Sequence, residues 1–152
     1  MLRERFTTAL KEAMKAGDKS RVSAVRLIQA KLKEKDIEAR GAGRGEASEE
    51  EILALLQKEI KQRQESAEIY DKAGRPELAA QEKAEAEVIA SFLPAQLSDE
   101  EVRAAIEAAI ADTGASGMKD MGKVIAQLRG RYAGQMDFGK ASGLVKAQLS
   151  GG

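Results

Sequence analysis

The side chains best placed to do chemistry in this sequence are cations. Lys119, Lys123, Arg129, Arg131, Lys140 and Lys146 fall within residues 118–152, where only Asp120 and Asp137 oppose them. Gly122, Gly130, Gly134, Gly139 and Gly143 are interleaved with those cations. Basic side chains beside exposed backbone amides hold a nucleic-acid backbone by charge and shape. A glycine inside a helix costs about 1 kcal/mol relative to alanine, so several of them ask for a reason. One reason is close crossing of helices; the other is close approach of free amides to a phosphate, which helps only near a helix start. At the last helix Asp137 favours packing, because a capping carboxylate already occupies those amides. Base stacking has little to work with, since only Tyr132 and Phe138 lie nearby.

Other chemistries are thinly supplied. The chain has no Cys, no His and no Trp, which removes ordinary structural zinc ligands, thiol nucleophiles, disulfides and His-based triads. Glutaminase chemistry needs a Cys or an activated Ser, and no Ser-Lys constellation is evident. Asp120 and Asp137 read as helix-start charges rather than magnesium ligands. Gly41-Ala42-Gly43-Arg44-Gly45 is a flexible linker, lacking the Gly-Lys-Ser/Thr ending and preceding strand of a phosphate loop. No catalytic residue, metal site or cofactor is expected.

The elements that position the cations follow from composition. Of 152 residues 43% are hydrophobic and 33% charged, but 27 are Ala while Leu, Ile, Val and Phe supply only 31. Strong helix formers dominate, and aromatic residues make up 3%. The reading is an all-α protein with thin cores. No segment is apolar enough for a membrane span, and the N-terminus has neither a secretory nor a mitochondrial pattern, so a cytoplasmic protein is expected.

Apolar spacing divides the chain further. Leu2, Phe6, Ala9, Leu10, Ala13 and Met14 mark one helix; Asp18 caps a second carrying Val22, Val25, Ile28 and Leu32 to about Arg40. Ser48 and Glu51 form a capping box for a third, expected to run to Ala73. Gly74 ends it and Pro76 opens a fourth that reaches about Leu93, giving a long hairpin, apolar at its base and polar at its tip. Pro94 closes that helix, and Ser98 with Glu101 makes a second capping box. Three helices follow, built on Val102, Ala105, Ile106, Ala109 and Ile110, then Met118, Met121, Val124, Ile125 and Leu128, then Phe138, Ala141, Leu144, Val145 and Leu149. The expected domains are 1–93, a helical domain with a long hairpin, and 94–152, a small three-helix domain. Zero net charge hides segregation: residues 1–40 carry +5, 41–93 carry −5, 94–117 carry −4 and 118–152 carry +4.

Four segments carry a resemblance. Gly74-Arg75-Pro76-Glu77-Leu78-Ala79, Phe92-Leu93-Pro94-Ala95-Gln96-Leu97-Ser98, Asp120-Met121-Gly122-Lys123-Val124 and Gly134-Gln135-Met136-Asp137 are similar, in order and spacing, to the GatB/YqeY family. That family is related to the tail of the GatB component of the tRNA-dependent glutamyl/aspartyl amidotransferase. The resemblance spans nearly the whole chain and implies a hairpin-bearing helical domain followed by a tail domain, whose counterpart in the amidotransferase helps hold the tRNA body. Carried over by position, the tail's motif residues are Gly122, Lys123, Gly134 and Asp137. Gln135 stands where the family often has Arg, and Ile125-Ala126 where Met-Gly is common.

Two functions from different classes follow. The first is a tRNA-associated accessory protein, binding through Lys119, Gly122, Lys123, Arg129, Arg131, Gly134, Lys140 and Lys146. The second is a helical adaptor whose hairpin or tail docks on a protein partner, with no RNA role. The family's label of carbon–nitrogen ligase with glutamine as amide donor describes the full amidotransferase, and independent catalysis by this chain is not expected.

Overall fold

Helix boundaries fall where local capping chemistry puts them. The computed structural model describes residues 1–151. Among those residues the regular structure is helical throughout: α1 (Leu2–Ala16), α2 (Lys19–Gly41), α3 (Glu49–Lys72), α4 (Pro76–Ala90), α5 (Asp99–Thr113), α6 (Met121–Tyr132) and α7 (Phe138–Ser150), with a 3₁₀ turn at Met118–Asp120. Chain contacts divide it into two units, Met1–Leu93 and Pro94–Gly152.

In the first unit α2 is the hub, packing against α1, α3 and α4. Phe6, Val25, Ile28, Ile52, Leu56, Ile89 and Phe92 make the centre of its core. Phe6 meets Phe92 edge to face, with ring centroids 5.0 Å apart. Arg5 lies over the outer face of Phe92 and donates to the Phe92 and Ser91 carbonyls, each at 3.3 Å. The glycine-rich linker is held rather than loose. Asp36 accepts two bonds from the Arg3 guanidinium, at 2.8 and 2.9 Å, and a third from the Ala47 amide at 2.9 Å. Those bonds, led by the one from Arg3, pull the Asp36 carboxyl down to about 2.

The hairpin of α3 and α4 is packed through small residues, Ala67, Ala79 and Ala86. Among the described residues its one buried charged side chain is Glu59, 3% exposed. Arg63 satisfies it at 2.8 Å and, from the same guanidinium, reaches Glu85 on α4 at 3.2 Å. Helix α4 stops at Ala90, three residues before the expected Leu93. Phe92 and Leu93 donate to carbonyls three residues back, at 3.1 and 3.0 Å, so the last turn tightens as the chain approaches Pro94.

The second unit closes three helices around Ile106, Val124, Leu128, Met136 and Val145, with Ala105, Ala109 and Ala141. Ser98 and Glu101 form their reciprocal capping box, and Gly114 ends α5 in the left-handed conformation. Three apolar residues assigned to helix cores by spacing lie instead on the surface: Met14 is 55% exposed, Met118 42% and Leu144 38%. Met14 and Leu144 occupy the edge of their apolar stripes, and Met118 belongs to the 3₁₀ turn, whose threefold repeat takes it off the face of α6.

Candidate nucleic-acid interface

The start of α6 differs from the other helix starts of its unit. Ser98 caps α5 and Asp137 caps α7, accepting from the Gly139 and Lys140 amides at 2.8 and 3.2 Å. At α6 the N-cap residue, Asp120, makes no capping bond. Its carboxylate turns back to the Ser116 amide at 3.0 Å, and that bond, with Lys123 and Lys119 nearby, holds its pKa below the usual carboxylate range. Lys119 and Lys123 therefore gather around the beginning of α6, with Gly122 between them in the chain. All three are exposed.

Helical spacing places the remaining cations. At about 100° per residue, Lys123 and Gly130 stand on the solvent side of α6, roughly 120° and 140° around from the midline between Val124 and Leu128. Arg129 and Arg131 leave the helix roughly 160° apart, Arg131 nearly in line with the buried Val124. Each has its own neighbour. Arg131 pairs with Asp112 of α5 at 3.0 Å, and the Arg129 guanidinium lies 5.6 Å from the centre of the Phe138 ring. Lys140, in the first turn of α7, and Lys146, near its end, are both exposed. Lys119, Lys123, Lys140 and Lys146 form no ion pair within 4.0 Å among the described residues, whereas Arg131 is paired with Asp112.

Gly134 is not part of this surface. It is buried, in a left-handed turn with φ of 76°. Its carbonyl accepts from the Gln96 side-chain amide at 2.6 Å, while the Gln135 carbonyl accepts from the Leu97 amide at 2.9 Å. The segment after Pro94 is thus tied to the loop between α6 and α7, and Gly134 serves that tie. The packing explanation for the helical glycines is corrected as well. A methyl group at Gly122, Gly130 or Gly143 would meet nothing within 4 Å, so no helix crossing within the unit demands them; of the helical glycines here only Gly139 is tight, 3.1 Å from the Asp137 carboxylate.

What sequence reasoning missed here are the two neighbours that occupy the arginines. Asp112 lies 19 residues before Arg131, and Phe138 nine after Arg129. No periodicity links either pair. Comparison with known families matches residues 3–149 to the family described as YqeY, Yqey-like protein. No curated protein matches the chain.

Proposed function

Because the chain belongs to the YqeY-like family, the one related to the C-terminal domain of the amidotransferase component GatB, we infer that it is a tRNA-associated accessory protein. The observation that carries this reading is the uncapped, lysine-flanked start of α6, which coincides with the motif Asp120-Met121-Gly122-Lys123-Val124. Lys119 and Lys123 engage phosphates there, Gly122 keeps the surface flat, and Lys140 and Lys146 on α7 add charge. Arg129 and Arg131 contribute less, one committed to a ring and the other to Asp112. Binding is by shape and charge rather than by base identity, since Phe138 is held beneath Arg129 and is not offered as a stacking platform. The role is one of holding, and amide formation belongs to the full amidotransferase.

Titration of the purified chain with bulk tRNA across a salt series tests the reading. Four phosphate contacts contribute roughly −3 to −4 to the log–log slope, and alanine at Lys119, Lys123, Lys140 and Lys146 removes that contribution. Absence of binding at low salt rejects the reading. Glutamine-dependent amide formation by the chain alone rejects its non-catalytic part.

A further inference from the structure

Seven residues carry an α-helix through nearly two turns, so side chains seven apart return to one face, drifting only about 20° at each repeat. Helix α2 places Lys19, Arg26, Lys33 and Arg40 at that interval. All four are exposed, and none forms an ion pair with a described residue. They stand on the side away from the buried Val25, Ile28 and Leu32, as a row of cations about 10.5 Å apart and about 32 Å long. Asp36 borders that face, one helical turn before Arg40, whose charge helps hold its carboxyl down. Glu34 and Glu38 lie roughly 90° or more around the helix, and Asp36 is engaged by Arg3 and Ala47.

The way α2 begins is the second observation. Its first turn carries Lys19 and Arg21 and no acid, whereas α3 opens on Glu49, Glu50 and Glu51 and α5 on Asp99, Glu100 and Glu101. Cations at a helix N-terminus oppose the helix dipole. Two helices of the same chain follow that rule with three acids each, whereas α2 meets it with the Asp18 cap alone, which accepts from the Arg21 amide at 3.1 Å. Of the row, Lys19 stands where the dipole disfavours a cation, while Arg40, in the last turn, stands where the dipole favours one.

We propose that this face of α2 docks a double-helical nucleic acid by its phosphate backbone. A duplex carries one negative charge per about 1.7 Å of axis, and a row of about 32 Å covers close to one duplex turn, within which it crosses both strands. A membrane surface fits less well: an interfacial helix needs an apolar face in the lipid, yet that of α2 is packed inside the unit, leaving Ile37 as the exposed large apolar side chain on this helix. A protein partner fits less well too, since the row has no aromatic anchor and its members stand a full two turns apart. The proposal concerns the first unit alone and does not rest on the lysines of the second.

Fluorescence anisotropy with a labelled RNA duplex of roughly 20 base pairs, across a salt series, tests it on the full chain. Three proteins are compared: the natural chain, a Lys19→Gln/Arg26→Gln/Lys33→Gln/Arg40→Gln variant, and one with alanine at Lys119, Lys123, Lys140 and Lys146. The α2 variant is expected to reduce the magnitude of the log–log slope by about 3 to 4, and to do so equally for duplexes of unrelated sequence. Circular dichroism checks that it stays helical; if it does not, Arg26→Gln and Lys33→Gln singly serve, each lowering the slope by about one. An α2 variant with unchanged slope and affinity overturns the proposal, and a loss confined to the variant of the second unit does so while leaving the tail reading intact. A loss confined to the α2 variant has the opposite meaning. Tighter binding to polyglutamate or to anionic phosphatidylserine vesicles than to the duplex also overturns it.

Discussion

The two units solve the same problem, stabilising a few amphipathic helices, with different materials. In the first, the thirteen buried core residues include two phenylalanines in edge contact and eight Leu, Ile or Val side chains, Leu2, Val25, Ile28, Leu32, Ile52, Leu55, Leu56 and Ile89. In the second, the core has eight, of which Ala105, Ala109 and Ala141 are alanines and none is aromatic. Apolar burial yields about 25 cal/mol per Å², and an alanine brings little area to it. The second unit depends correspondingly more on local devices: the Ser98–Glu101 box, the Asp137 cap, the left-handed Gly114 and Gly134, and the tie from Gln96 and Leu97. A thin core held by caps leaves the outward faces of its helices free of structural duty, and it is there that the unpaired lysines and the open glycines sit.

Matched truncations in the two cores break or sharpen that contrast most strongly. Ile28→Ala and Ile106→Ala each remove a side chain that is 0% exposed, and each is expected to cost about 3 to 4 kcal/mol. The first unit keeps its ordered core after that loss; the second does not, and the methyl NMR signals of Val124, Leu128 and Val145 collapse toward random-coil positions. Dispersed signals for those three in the Ile106→Ala protein would show the second core to be sturdier than its composition implies.

A smaller effect belongs to the first unit alone. Asp36 has a folded pKa of about 2 against an ordinary value of 3.8, so it stabilises the folded state fully above about pH 4. That contribution fades as pH falls from 3.8 toward 2, when the folded carboxylate finally takes its proton. The Asp36→Asn variant is expected to lose about 2 kcal/mol at neutral pH, the range for a hydrogen bond to a charged group, and to show a shallower loss of stability across that acidic window. Urea denaturation at about pH 7, 4 and 2.5 measures both. An unchanged acid profile would assign the acid sensitivity to other carboxylates.

The smallest expected change is a gain. Gly130→Ala places a methyl group in open space on the solvent face of α6 and should stabilise the second unit by about 0.5 to 1 kcal/mol, seen as a higher Tm. If the same variant also weakens tRNA binding, the glycine is kept for contact rather than for folding. A stable variant that binds as before separates the lysines from the glycines as the source of affinity.

How much of this was legible beforehand depended on how local the cause was. Ser48 with Glu51, Ser98 with Glu101, Asp18 and Asp137 each cap the helix that their position in the sequence indicates, because both partners of a cap lie within three residues. Gly74 and Pro76 bound the hairpin for the same reason. The pairs Arg3–Asp36, Arg63–Glu85 and Arg131–Asp112 lie 33, 22 and 19 residues apart, and nothing in the spacing of one predicts the other. At the candidate interface, charge and glycine content were visible at once, but exposure was not. Gly134 looked like its neighbours Gly122 and Gly130 in sequence and differs in being buried under the tie to Gln96.

The guanidinium shared by Glu59 and Glu85 fixes how the long hairpin can move. Sliding one of its helices past the other by a single turn, about 5.4 Å, would part Glu85, half-buried and otherwise bonded to the Ser23 hydroxyl at 3.4 Å, from the Arg63 guanidinium. The cost rises steeply for any such ratchet, while bending the pair as a whole leaves the contact alone. The shared guanidinium thus favours a single register of α3 against α4.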